Sequence, residues 1–273
     1  MATCMVLGLG PPSAVAQELT PAIVDLSSHN QVSLTPELRA RQGISLVIHR
    51  ASMGLDMGNF SDADYRFEEQ MRAAASAGLR LGAYHLGTRT GSGAQQADDF
   101  LTLVKRVCES LPALARRVLL ALDWEPSNPD PNSYMNMIEV GRFLERAVAR
   151  TGKAVTVYTG ERFLRERRDE MASVPRSWQM LGRQPLWIAK YNPAGYDHRG
   201  EPSREIPWPD VAGTPWSTWN LWQYTNGEHR ASGALPVSRI DGQPVDRSVF
   251  RGSRADLERF KNTHSWDCVY KTR

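Results

Sequence analysis

The sequence lacks several features that would assign it to a specialised class of protein. Only three of its 273 residues are cysteine, and no cluster of histidine and cysteine has the spacing of a zinc site. No apolar run approaches the roughly 18 residues that a membrane-spanning helix needs. The net charge of +3 is too small to indicate a nucleic-acid-binding face. We therefore expect a globular protein that needs no metal or cofactor, binds no nucleic acid and has no membrane span.

The N-terminal stretch differs in composition from the rest of the chain. It carries no charge before Glu18, and Ala14-Val15-Ala16 resembles the end of a secretory signal peptide. The sequence thus predicts a signal peptide over residues 1–16 and a secreted or periplasmic protein, with a disordered extension as the alternative. In an exported chain Cys108 and Cys268 can form a disulfide, whereas in the cytosol two reduced thiols are the default. The sequence leaves both states of the thiols open.

Short apolar runs alternate with amphipathic stretches along most of the chain. Strands are predicted at 22–26, 45–50, 79–86, 118–124, 154–159, 186–191, 219–225 and 243–248, and helices at 62–77, 94–109, 134–150, 160–171 and about 253–262. A strand followed by a helix, repeated, indicates parallel strands with helical crossovers. We predict an α/β protein with a single irregular barrel over residues 17–253 and a C-terminal helix and tail over 254–273. The Pro- and Trp-rich stretch 192–218 is predicted to be a loop that either forms a wall of a cleft or caps the barrel.

Acidic residues lie where predicted strands end. In "LLALDWEP" Asp123 and Glu125 follow an apolar run. Asp25 ends the first predicted strand, and Asp246 lies in the last predicted strand. Residues i and i+2 of a strand share a face, with Cα atoms about 6.6 Å apart, and the carboxyl ends of barrel strands form the mouth. Several carboxyls there fit glycoside hydrolysis, in which one donates a proton and another stabilises positive charge on the sugar. The Asp-x-Glu spacing alone is more often a solvated pair before a turn.

The order of the strand motifs narrows the interpretation. The motifs "IVDLSSHN", "LRLGAYHLG", "LLALDWEP", "AVTVYTG", "LWIAKYN", "LWQYTNG" and "PVDRSVFRG" follow one another between residues 21 and 252. Together they resemble glycoside hydrolase family 25, the lysozymes often called the Chalaropsis type. The resemblance implies an irregular TIM-like barrel of eight strands and about five helices. It also implies cleavage of the β-1,4 bond between N-acetylmuramic acid and N-acetylglucosamine in peptidoglycan, so the expected partner is the peptidoglycan glycan strand, and we expect a monomer.

The resemblance also assigns roles to residues. It implies that Glu125 is the proton donor, that Asp123 assists it, and that Asp25 and Asp246 complete the catalytic group. It implies a sugar-binding cleft lined by Tyr84, Tyr158, Tyr191, Trp222, Tyr224 and Lys190. The family usually has Lys-x-Thr/Ser-Glu-Gly after the second strand, whereas this chain has "RASMG". Arg50 keeps the cation there, but Met53 replaces the acid.

Two other functions compete with this one. A barrel that has lost catalytic activity could bind cell-wall glycans without cleaving them. The presence of all four acids, Asp25, Asp123, Glu125 and Asp246, argues against such a loss. A chitinase-like enzyme of family 18 also uses acids at strand ends. That family needs further aspartates upstream on the same strand, where this chain has Leu119, Leu120 and Ala121.

Overall fold

The computed structural model of the chain describes residues 18–55, 64–127, 130–191, 208–227 and 239–269. The predicted signal peptide over 1–16 and most of the predicted loop over 192–218 lie outside these residues. Among the helices of the described ranges, none combines the length and the apolar character needed to cross a membrane.

The described residues form eleven strands, of which eight close into a barrel. The strands are β1 (Leu19–Leu26), β2 (Leu46–Met53), β3 (Arg80–Leu86), β4 (Arg117–Asp123), β5 (Thr156–Gly160), β6 (Leu186–Ala189), β7 (Leu221–Thr225), β8 (Arg239–Ile240), β9 (Gln243–Pro244), β10 (Asp246–Arg251) and β11 (Ser265–Asp267). Strands β1 to β7 pair in sequence order and in parallel, and β10 closes the barrel between β7 and β1. Strands β8 and β9 form a separate small ladder, and β11 pairs with the first residues of β4.

Helices cover the outside of the barrel. They are α1 (Pro36–Gln42), α2 (Phe67–Ser76), α3 (Gly93–Glu109), α4 (Met137–Thr151), α5 (Glu161–Glu166), α6 (Arg168–Ser173), α7 (Pro175–Gly182) and α8 (Arg254–His264), with a short 3-10 helix at Ala113–Ala115. Their ends follow local sequence signals. The Asn136 side chain accepts from the N–H groups of Ile138 and Glu139 at the start of α4, and Gly152 ends that helix in a left-handed conformation.

The predicted α/β barrel of eight strands is confirmed, with two differences in detail. The described residues contain eight α-helices rather than about five. The predicted helix over 160–171 is broken at Arg167, whose guanidinium lies over the rings of Tyr134 and Phe163, and helices α1 and α7 were not predicted. In addition, β10 runs antiparallel to both neighbours. No helix is found in the described part of the connection from β7 to β10, and a parallel pairing needs such a crossover.

Alternating side chains divide the core into two layers. Outward-facing residues of the strands pack under the helices, and inward-facing residues fill the barrel below the mouth, among them Ile23, Leu46, Ile48, Leu119, Leu221 and Phe250. Leu257 and Phe260 of α8 join the inner layer and cover the base of the barrel. Cys108 at the end of α3 is bonded to Cys268 just after β11, which anchors the tail at the same base. Within the described residues the base is therefore closed, and the opposite end of the barrel is the open mouth.

Candidate active site

Four acids from three strands and one loop surround a single cavity at the mouth. Asp25, Asp123, Glu125 and Asp246 line a cavity of about 330 Å³ together with Tyr84, Tyr158, Trp187 and Gln223. Asp25 and Asp246 lie directly opposite each other in the register of β1 and β10. The structure thus brings together the four acids on which the sequence interpretation depends.

The loop after β4 positions Glu125. Trp124 is fully buried and lies outside the barrel, where its indole N–H donates to the carbonyl of Met135 at 2.8 Å and its ring packs edge-on against Phe163. The backbone N–H of Trp124 donates to the carbonyl of Tyr158 at 2.9 Å, so the chain stays against β5 after the strand has ended. Because Trp124 is anchored on the outer side, the next residue, Glu125, faces the cavity.

Burial and mutual repulsion raise the pKa of three of these acids. Withdrawal from water and the charge of Asp246 raise the pKa of Glu125 to about 7. Burial, and then the charge of Asp246, raise the pKa of Asp25 well above its usual range. Burial and the charges of Glu125 and Asp25 do the same for Asp123, against the opposing charge of Arg50. The site therefore contains carboxyls that remain protonated at a pH where an exposed carboxyl is ionised.

Gln223 connects the acids to the aromatic wall. Its amide N–H donates to Asp25 Oδ1 at 2.8 Å, and its Oε1 accepts from the hydroxyls of Tyr158 at 2.8 Å and Tyr191 at 2.5 Å. Trp187, beside it in the cavity, donates its indole N–H to Ser248 Oγ at 3.0 Å. Neither Gln223 nor Trp187 was predicted from the sequence to be a site residue. Strand alternation could have found Gln223, because its neighbours on β7 face the opposite side.

A second, wider groove begins where the acid cavity ends. Glu125 and Tyr158 line both spaces, and the groove continues over about 990 Å³ along Gly160, Glu161, Arg162, Ala189, Lys190 and Tyr191. The Lys190 ammonium forms an ion pair with Glu161 at 2.9 Å in this wall. Of the predicted sugar-binding residues, Tyr84 and Tyr158 therefore line the acid cavity, and Lys190 and Tyr191 line the groove.

The remaining predicted sugar-binding residues lie behind the wall. Trp222 and Tyr224 are buried in the outer layer, and the indole N–H of Trp222 donates to the carbonyl of Lys190 at 2.9 Å. Neither lines the cavity or the groove. His85 is also buried on the outer side, where its ring nitrogens bond to Ser52 Oγ at 2.9 Å and Gln96 Oε1 at 3.0 Å, and burial lowers its pKa to about 4. These three side chains support the wall without facing a ligand.

Similar structures have this barrel. The bacterial lysozyme from Streptomyces coelicolor aligns with a TM-score of 0.60 and 23% identity over 91% of this chain and 99% of that chain. The catalytic domain of an endolysin from bacteriophage P40 of Listeria monocytogenes aligns with a TM-score of 0.58 and 20% identity, over 91% and 99%. A family 25 glycosyl hydrolase from Bacillus anthracis aligns with a TM-score of 0.56 and 20% identity, over 90% and 93%.

Sequence comparison gives the family directly. A search of curated protein sequences found no match. The model of the family described as "Glycosyl hydrolases family 25" matches residues 24–233, which contain three of the four acids and most of the barrel. The chain therefore belongs to glycosyl hydrolases family 25 and is a glycoside hydrolase.

Proposed function

We propose that the protein is a muramidase that hydrolyses the β-1,4 bond between N-acetylmuramic acid and N-acetylglucosamine in peptidoglycan, outside the cytoplasm. The observation that carries the proposal is the cavity in which Glu125 is surrounded by three further acids. A glycosidase needs one protonated carboxyl to donate to the leaving oxygen and further negative charge to stabilise the sugar cation. The lysozyme and the endolysin among the similar structures support peptidoglycan as the substrate.

Glu125 acts as the general acid in this proposal. Its pKa of about 7 keeps much of the carboxyl protonated near neutral pH, so that it can donate to the glycosidic oxygen. After bond cleavage the resulting carboxylate takes a proton from the attacking water, which restores the acid for the next cycle.

Asp123 assists through the acetamido group of the bound sugar. Its Oδ1 is buried and accepts no hydrogen bond from any described residue, so a substrate N–H would supply the missing donor. Held in this way, the acetamide carbonyl attacks the anomeric carbon while Glu125 protonates the leaving oxygen. Water then opens the resulting ring intermediate, and the configuration at the anomeric carbon is retained. Asp246 adds negative charge beside the developing cation, and Asp25 lies opposite Asp246 in the register of β1 and β10.

The experiment is digestion of purified peptidoglycan with the wild type and with Glu125→Gln. We expect turbidity loss with new N-acetylmuramic acid reducing ends, identified by mass spectrometry, and a fall in kcat of about 10²- to 10⁴-fold for the variant. Glu69→Gln, an exposed site on α2, is the matched control and should retain activity. New N-acetylglucosamine reducing ends would contradict the proposed bond, and near wild-type activity of folded Glu125→Gln would contradict the role of Glu125.

A further inference from the structure

The position of Glu125 assigns the two spaces of the cleft to the two sides of the scissile bond. Glu125 and Tyr158 line both the acid cavity and the groove, whereas Asp25, Asp123 and Asp246 line only the cavity. A general acid protonates the oxygen that joins two sugars, so these sugars lie on either side of it. The cavity with three further acids suits the sugar on which positive charge develops. The groove is therefore left for the departing part of the chain.

The groove differs from the cavity in its charge. The Lys190 ammonium donates to Glu161 Oε1 at 2.9 Å and to the carbonyl of Trp208 at 3.1 Å, so its charge is compensated within the wall. The Arg162 side chain is 85% exposed. Its only hydrogen bond within the described chain is the one that its Nε donates to Glu166 Oε1 at 2.8 Å. Its two terminal nitrogens thus remain available at the groove.

We propose that the groove binds the departing part of the glycan chain and that Arg162 binds a carboxylate carried by it. The planar fork of N–H donors in a guanidinium matches the two oxygens of a carboxylate. A neutral polymer has no carboxylate for it to bind. This inference rests on the proposed function and adds a charged group to the substrate. In peptidoglycan the carboxylate comes either from the peptide attached to the next N-acetylmuramic acid or, where that sugar carries no peptide, from its free lactyl group.

The test compares three substrates prepared from one peptidoglycan sample. The first is intact, the second is stripped of peptides by an amidase, which frees the lactyl carboxylates, and the third has its carboxylates converted to neutral amides. We expect Arg162→Gln to lower kcat/KM on intact peptidoglycan by about 3- to 10-fold and to leave the rate on the amidated sample unchanged. Arg165→Gln removes a charge from an exposed position of the same helix, outside the groove, and should change no rate.

The stripped substrate identifies the source of the carboxylate. An effect of Arg162→Gln on it that is at least as large as the effect on intact substrate assigns the contact to the lactyl group, and loss of the effect assigns it to the peptide. Equal losses on intact and amidated substrate, no loss on either intact or stripped substrate, or an equal loss for Arg165→Gln would each overturn the inference.

Binding separates this inference from the proposed catalysis. In the Glu125→Gln background, calorimetry with soluble peptide-bearing oligosaccharides should show that Arg162→Gln weakens affinity about 3- to 10-fold, and only for oligosaccharides with free carboxylates. Wild-type protein that cleaves none of the substrates would overturn the proposed function, and the binding measurement would still decide the role of Arg162. Affinity that is independent of the carboxylates would overturn that role.

Discussion

Arg50 and Asp64 form an ion pair at the mouth end of β2, with 3.2 Å between Arg50 Nε and Asp64 Oδ2. The Asp64 side chain is fully buried, and its oxygens also accept from the backbone N–H of Ser28 at 2.6 Å and of Arg66 at 3.0 Å. The pair lies in the region where the family resemblance expects an acid and the sequence has Met53. An acid from the segment after β2 therefore pairs with Arg50, and the cation stays close enough to influence Asp123.

We expect Asp64→Asn to lower both stability and activity. The substitution removes the charge that compensates Arg50 and replaces a carboxylate that accepts from two backbone N–H groups. The free energy of unfolding should fall by about 1–3 kcal/mol, measured by urea denaturation. The control is Glu68→Gln, which breaks an exposed pair with Arg72 and should cost below about 1 kcal/mol. Equal costs for the two variants would contradict the importance of the buried pair.

The pH dependence of catalysis should have an alkaline limb near pH 7. Glu125 must be protonated to act as the acid, and its pKa of about 7 means that the active form is lost as pH rises through that value. Asp246→Asn removes the negative charge that raises this pKa, so the limb of kcat/KM should move to lower pH. A limb at the same pH in wild type and variant would contradict the assignment.

The disulfide should contribute to stability and not to catalysis. Cys108 and Cys268 are 160 residues apart in sequence, a loop for which the chain-entropy model gives an upper value of about 5 kcal/mol. The double variant Cys108→Ser/Cys268→Ser should lose about 2–5 kcal/mol in the free energy of unfolding and keep its activity at 25 °C, because the bond lies at the base. Thiol titration of the denatured, unreduced full chain should detect Cys4 alone, and three titratable thiols would disprove the bond.

Gln223 and Trp222 are sequence neighbours, but substitution of Gln223 should affect catalysis and substitution of Trp222 should affect stability. Gln223→Leu removes the oxygen that accepts from two tyrosine hydroxyls and the amide that donates to Asp25, so kcat should fall by about 10-fold or more. Trp222→Phe removes a buried N–H behind the wall and should cost about 1–3 kcal/mol of stability. Steady-state kinetics and thermal unfolding distinguish the two effects. A large rise in KM for Trp222→Phe would contradict this prediction and indicate that Trp222 contacts the substrate.

The barrel was predictable because its strands appear in the sequence as apolar runs with polar ends. The same pattern predicted the positions of Asp25, Asp123 and Glu125 correctly relative to the mouth. Helix α1 was missed although Thr35 caps its start, Pro36 begins it, and Gly43 ends it in a left-handed conformation. Seven residues are too few to show a helical period, so only the terminal signals could have revealed it.

The facing of side chains was harder to predict than their position along the chain. Trp222 and Tyr224 were expected in the cleft because aromatic residues at a strand end suit sugar stacking. The alternation of side chains along β7 instead points Gln223 into the barrel, where it pairs with Ala189 of β6. A one-residue shift of phase reverses every side chain of a strand, and only neighbouring strands define that phase. For the same reason, the antiparallel direction of β10 could not be derived from its short apolar run.

The direction of β10 also determines where the chain leaves the barrel. Asp246 begins this strand at the mouth and Arg251 ends it at the base, where α8 and β11 follow and Cys268 is bonded to α3. The described chain thus finishes on the face opposite the cleft. For protein engineering, a tag, a surface linker or a wall-targeting module joined after Val269 would start away from the cleft. Such a fusion could be bulky without competing with a long polymer for the entrance.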